Sequence, residues 1–187
     1  PGNFITQREE PILNTLQVSQ INNGFKIKPL NDDRNELILP LVVAQNSGTK
    51  PVKIWGSEFQ AIRTETDASE WFSDFLHKKV ELVQIYPGAR MKKNSLWPRA
   101  FPLSFTDGYP IHLINLASVE DISKRSGEPI HPDQFRANLV VEGLEPYEED
   151  EILSIRLDDL ELAAVKKCDR CIMTGIRPER SEIGKEP

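Results

Sequence analysis

Cysteine is nearly absent from this sequence. Cys168 and Cys171 are the two in 187 residues, too few for the disulfide framework that staples small secreted domains. No apolar run approaches the ~20 residues of a membrane span. The longest, Leu37-Ile38-Leu39-Pro40-Leu41-Val42-Val43-Ala44, contains a proline and reads as a strand. Positive charge is in deficit, with 23 Lys+Arg against 29 Asp+Glu and a net charge of −6, which argues against a general nucleic-acid binder. There is no internal repeat and no low-complexity tract, and the opening residues do not read as a secretory signal. The chain opens on Pro1-Gly2-Asn3-Phe4 and closes on Gly184-Lys185-Glu186-Pro187, and the expectation is a piece of a longer protein.

What is present is an ordinary globular balance, 39% hydrophobic and 28% charged. Fourteen prolines and ten glycines cut the chain into short pieces, most of which alternate with the period of a strand. Phe25-Lys26-Ile27-Lys28, Val80 to Tyr86, Leu139-Val140-Val141 and Leu153 to Leu157 are such pieces. Asp158-Asp159, between alternating runs, reads as a tight hairpin turn. Two helices are predicted. Asp67 caps the first with Glu70 completing a capping box, and Trp71, Phe72, Phe75 and Leu76 follow at helical spacing. The second starts at Ser118, faces Val119 and Ile122 inward and ends at Gly127. The fold class is therefore α+β and strand-rich. Residues 87 to 100 carry Arg90, Lys92, Lys93 and Arg99 without periodicity, and read either as a solvated linker or as a loop over an anionic site.

Cys168-Asp169-Arg170-Cys171 is the strongest chemical signal. Structural zinc needs four ligands, and His77, His112 and His131 offer no ligand spacing. A thioredoxin-like pair sits before a helix, and Ile172-Met173-Thr174-Gly175 is not a helix start. A single thiolate that ligates a soft metal, with Lys166, Lys167 and Arg170 beside it, and a pair of inert cysteines both stay open. Asp107-Gly108-Tyr109-Pro110 is a turn by composition. Arg136 and Asn138, at i and i+2 before the Leu139 strand, would project to one side of a strand. That suits an anion plus an amide-read heterocycle, or a surface arginine and a turn asparagine. The acidic run Glu145 to Glu151 reads as a solvated loop.

Several segments carry a resemblance in their order and spacing. They are Phe105-Thr-Asp107-Gly108-Tyr-Pro, Ala117-Ser118 opening a helix, Gln134-Phe135-Arg136-x-Asn138-Leu-Val-Val, Glu148-Glu149-Asp150 and Lys167-Cys168-x-Arg170-Cys171-Ile-x-Thr174. Together they resemble the MOSC domain, named for the C-terminal domain of molybdenum cofactor sulfurase. Gly2 to Arg8, Pro11 and Val52-Lys53-Ile54-Trp55-Gly56 resemble the β-barrel domain that precedes MOSC in longer members, as in bacterial relatives of the mitochondrial amidoxime-reducing component. The resemblance implies part of that N-terminal barrel domain over 1–98 and a β-barrel-like, C-terminally truncated MOSC domain over 99–187.

It further implies the molybdenum cofactor (molybdopterin), a pterin dithiolene with a phosphate tail, whose metal takes one protein thiolate. Cys171 falls on that ligand, which is also the catalytic position. Thiolate is the protein's softest donor, and a single protein ligand leaves the metal open to substrate. Arg136 and Asn138 match positions that contact the pterin and its phosphate region. Asp169-Arg170 is the segment beside the ligand, and Thr174 is the small hydroxyl after it. The implied reaction is reduction of small N-hydroxylated substrates, hydroxylamino-purines and amidoximes, with electrons from a ferredoxin domain or a reductase. A non-catalytic cofactor or sulfur carrier using a Cys171 persulfide is the alternative, and a degenerate structural domain is a third reading. Some members are described as pyridoxal-phosphate binders, but no Gly-rich phosphate loop is visible here. The family's opening His-Pro-Val-Lys-Ser strand, its Phe-Gly-x-Asn motif and the ferredoxin cysteines are not in this chain. The expectation is the middle of a cytoplasmic molybdoenzyme, inactive by itself, without nucleic-acid or membrane partners.

Overall fold

A computed structural model describes residues 2–30, 36–41, 48–64, 66–86 and 88–176. They divide into two compact units. One runs to Met91 and includes Pro102–Asp107; the other holds Lys92–Phe101 and the residues from Gly108 on. Among the described residues the strands form small open sheets rather than one closed barrel.

The first unit contains β1 (Gly2–Asn3), β2 (Leu16–Ile21), β3 (Gly24–Pro29), β4 (Leu37–Pro40), β5 (Thr49–Ile54), β6 (Ser57–Arg63), α1 (Thr66–Phe75) and β7 (Val83–Ile85). β2, β3 and β4 form an antiparallel sheet, and β1, β5, β6 and β7 form another in which β1 runs parallel to β5. The long apolar run does form a strand over Leu37–Pro40, while Val42–Ala44 lie outside the described residues. The β5–β6 turn uses Trp55 and Gly56 at φ 48° and 86°, the doubly positive pattern of a tight hairpin. Gly24 is required for closeness: a Cβ there would lie 1.9 Å from the Leu39 carbonyl oxygen.

α1 lays Trp71 and Phe72 on the core of Ile27, Leu37 and Ala68. The helix starts at Thr66, so Asp67 sits in its first turn instead of capping it. Its charge still complements the helix dipole there. At the far end His77 turns left-handed at φ 48°, and the Lys78 amide donates back to the Ser73 carbonyl at 3.0 Å. A second core gathers Val52, Ile54, Phe59 and Ala61 with Phe4 and Phe105, whose rings stack at 5.2 Å.

The second unit opens with Lys92–Phe101, the greater part of β8 (Met91–Asn94) and β9 (Trp97–Pro102), which pair as a hairpin. The basic segment is thus strand and turn, not a linker. Tyr109 explains why: its hydroxyl accepts from Asn94 at 2.6 Å, its ring lies 4.3 Å from Lys92 Nζ and 6.0 Å from the Phe101 ring. Next come β10 (Leu113–Asn115), α2 (Leu116–Ser126), β11 (Leu139–Val141), β12 (Ser154–Leu157) and β13 (Leu160–Ala163). β10 and β11 pair in parallel, with α2 lying in the crossover between them, as a parallel pair requires. Val119 and Ile122 of α2 pack on Ile114, Ile130 and Phe135, and Gly127 ends the helix at φ 73°. β12 and β13 form the second hairpin, and Asp158 turns it at φ 51°.

Two local expectations are overturned here. Asn115, fully buried, caps α2 by accepting from the Ala117 amide at 3.2 Å. Ser118 lies inside the helix, where its hydroxyl donates to Glu149 at 2.7 Å and accepts the Tyr147 amide at 2.7 Å. The acidic run is correspondingly not a solvated loop throughout. It forms a 3-10 turn over Glu148–Glu151, with the Glu149 carboxylate held by Ser118 and by Asn115 Nδ2 at 3.3 Å.

Candidate functional site

After β13 the chain has no regular secondary structure through Cys168, is extended at Cys171 and tightens into a 3-10 turn at Ile172–Gly175. Thr174 fixes that turn from beneath. It is buried, and its amide and hydroxyl both donate to the Cys171 carbonyl, at 3.1 and 2.9 Å. The Cys171 main chain is therefore pinned while the residue stays exposed, as does Cys168.

A second 3-10 turn, Pro132–Phe135, supports the first. Gln134 is nearly inaccessible. Its Oε1 accepts the His131 amide at 2.7 Å, and its Nε2 donates to the Thr174 carbonyl at 2.9 Å. A buried carbonyl needs such a partner. Arg136 caps this turn at φ 53°, ψ 39°, its amide donating to Asp133 at 3.1 Å. Asn138 lies between that cap and β11. Neither residue is in a strand, so the same-side argument for Arg136 and Asn138 does not apply. Asn138 instead brackets His112: its amide donates to the His112 carbonyl at 2.8 Å, and its Oδ1 accepts the His112 amide at 2.9 Å.

Arg170 joins these elements. Its guanidinium lies 4.8 Å over the buried Phe135 ring, and Nη1 is 3.3 Å from His112 Nε2. Burial first, and the Arg170 charge second, hold the His112 imidazole below its ordinary value of 6.5. Asp169 is exposed and pairs with Lys166 at 2.6 Å, whose bond and charge hold its carboxyl below the ordinary carboxylate value. Lys167 pairs with Asp150 at 3.1 Å. Lys166 and Lys167 thus each have a carboxylate partner.

Cys171, Thr174, Arg170 and Asn138 are thus brought into one connected set, through Gln134, Phe135 and His112. Arg136 caps the same turn, and Asp169 faces Lys166. His112 and Gln134 are the residues sequence reasoning did not assign. A histidine without ligand spacing gives no signal alone, and Gln134 was legible only as part of a motif. Two cations of the basic segment are engaged: Lys92 lies on Tyr109, and in the first unit Arg90 donates to the carbonyls of Ser104, Thr106 and Asp107. Asp107 there pairs with Arg8 at 2.6 Å.

Among the described residues no three His, Cys, Asp or Glu side chains converge as a metal-binding group. No helix among them is long and apolar enough to cross a membrane.

Comparison with known proteins gives two domain matches: a MOSC N-terminal beta barrel domain over residues 1–79 and a MOSC domain over residues 101–187. The chain is 28% identical over 196 residues to mitochondrial amidoxime reducing component 2 of Rattus norvegicus, covering all of this chain and 57% of that protein. It is 30% identical over 195 residues to mitochondrial amidoxime-reducing component 1 of Danio rerio, covering all of this chain and 58% of the relative. Against component 2 of Homo sapiens the identity is 26% over 190 residues, covering 99% and 56%. The chain thus spans a little over half the length of these relatives.

Proposed function

The chain belongs to the MOSC domain family, its MOSC domain preceded by a MOSC N-terminal beta barrel domain, and from that premise we propose that it is part of a molybdenum-cofactor reductase of N-hydroxylated compounds. Cys171 is the metal's protein ligand in this reading. Support comes from relatives named as amidoxime-reducing components that align with the whole chain.

The observation that carries the reading is the pinned Cys171. Its main chain is held by Thr174, and the turn behind it by buried Gln134. A ligand presented at the surface on a fixed backbone suits a metal that must also meet substrate. The donor set fits as well. A thiolate is the protein's softest donor and suits a metal whose other soft donors come from a dithiolene cofactor. When bound, that group supplies a two-electron redox centre with an open position. The chain's own residues then bind and orient. Arg170, and in this reading Arg136, offer guanidinium donors to the anionic tail. Asn138 holds His112 in place, and Thr174 keeps the Cys171 carbonyl turned inward. An electron donor such as a ferredoxin domain or a reductase completes the proposal.

The test is metal and pterin analysis of the protein carrying this chain, with assay of a hydroxylamino-purine or an amidoxime. Cys171→Ser is expected to remove molybdenum and activity, while Cys168→Ser keeps a measurable fraction of both. The reverse pattern refutes the ligand assignment. Metal-free protein with a persulfide on Cys171 refutes the reductase reading in favour of a sulfur carrier.

A further inference from the structure

We infer that His112 is a positioning residue that, together with Phe135, aims the Arg170 guanidinium as the arm receiving a phosphate-type oxyanion. The inference rests on the placement of Arg170 beside the bound cofactor and adds what makes that arm competent. A long exposed arginine is a poor anion receptor until its rotamers are restricted, because ordering it on binding costs conformational entropy. Here two contacts restrict it beforehand. Phe135 takes one face of the guanidinium, 4.8 Å from ring centre to Cζ, and His112 Nε2 takes Nη1 at 3.3 Å.

The tautomer follows from the partners. Arginine stays protonated and only donates, so His112 Nε2 must accept and the ring proton must be on Nδ1. The ring's bond to the Phe135 backbone supplies the matching acceptor. Phe135 therefore meets both groups: its backbone acts on the imidazole and its ring supports the arginine. The base is rigid, since Asn138 and Leu139 bind the His112 main chain through three hydrogen bonds of 2.8, 2.9 and 3.1 Å. Arg170 is the charged group that faces the imidazole; Phe135, Asn138 and Leu139 meet His112 through neutral groups. Among the described residues no contact engages the Nη2 side of Arg170, the edge from which a guanidinium grips an oxyanion in two places.

Inorganic sulfate is the probe, a tetrahedral dianion that keeps its charge across neutral pH. Its binding to the cofactor-free protein is followed by the 15N shift of Arg170 Nε. Wild type is expected to bind and Arg170→Met to lose the site. His112→Asn, polar but too short to reach Nη1, is expected to weaken sulfate roughly tenfold. His112→Gln, which restores an acceptor and a donor on a longer arm, is expected to recover most of that loss. Ring 15N shifts of wild-type His112 should report the Nδ1–H tautomer. Equal sulfate affinity in wild type and Arg170→Met overturns the placement of Arg170 itself. Loss in Arg170→Met with none in His112→Asn overturns the positioning role alone. Equal weakening in the Asn and Gln variants, or an Nε2–H tautomer, also overturns it.

Discussion

Replacing Gln134 by leucine keeps the side-chain volume near native and removes both of its hydrogen bonds. The Thr174 carbonyl, which accepts from Nε2 at 2.9 Å, is left unpaired in a buried setting. The His131 amide, which donates to Oε1 at 2.7 Å, is left unpaired nearer the surface. An orphaned polar group costs about 1–3 kcal/mol. The buried carbonyl belongs in the upper part of that range and the amide in the lower, so the expected loss is about 3 kcal/mol. For a chain of this size that is a fall in Tm of about 6–12 °C. Only part of the effect is global, because the bond ties the Pro132–Phe135 turn to the turn that follows Cys171. Hydrogen exchange at Thr174 and Ile176 should therefore accelerate more than at Ile114 in β10. Alkylation of Cys171 should change while that of Cys168, upstream of the turn, stays near wild type. Denaturant unfolding, exchange by mass spectrometry and thiol labelling read these quantities. A Q134L protein with unchanged stability and unchanged exchange around Thr174 would refute the claim that Gln134 holds the Cys171 turn in place.

Glu149→Ala removes the acceptor of Ser118 and one of the two acceptors of Asn115 Nδ2, which keeps the Glu145 carbonyl at 2.8 Å. Bonds to a charged group carry about 1.5–3 kcal/mol each way of counting, so a loss of about 2 kcal/mol by denaturant melt is expected, with faster exchange across 145–151. Gly24→Ala places a Cβ 1.9 Å from the Leu39 carbonyl oxygen and is expected to unpair β3 from β4. Gly127→Ala, at φ 73° with open space around it, should cost only about 1 kcal/mol; equal melting temperatures for the two glycine variants would refute the distinction. His112 is held below 6.5 in the fold by burial and by Arg170, so the unfolded chain binds its proton more readily. Its contribution is fully present above 6.5 and is lost as pH falls through the lower folded value. Arg170→Met removes the second cause and should flatten the acid limb of stability against pH, which a pH series of thermal melts measures.

Period and turn chemistry made much of the fold legible. Trp71, Phe72, Val119 and Ile122 at helical spacing, Gly127 as a stop and Asp158 as a hairpin turn all lie where local rules put them. Local rules failed where a polar side chain found a partner far along the chain. Ser118 looked like a cap, but its hydroxyl binds the Tyr147 and Glu149 region, and Asn115 caps instead. The basic segment hid its strands because lysines alternate poorly with an asparagine and a proline, and because its organising ring, Tyr109, lies outside it. The same holds for the site. Cys171, Arg170 and Thr174 stood out as a cluster in sequence, whereas His112 acquires meaning only from Asn138 and from Arg170, 58 positions away.

Arg90 grips the 104–107 segment by its carbonyl oxygens and by none of its side chains. Where a loop is held by its main chain, a side chain that points to solvent does not set its course. Ser104, an exposed position in that segment, is therefore open to substitution without loss of the loop's path, whereas Asp107 is constrained through Arg8 and Arg90 admits no replacement that donates in the same three directions. Diversity introduced at 104 would vary surface chemistry on an unchanged backbone, one residue ahead of Phe105, which its stack on Phe4 holds in the core.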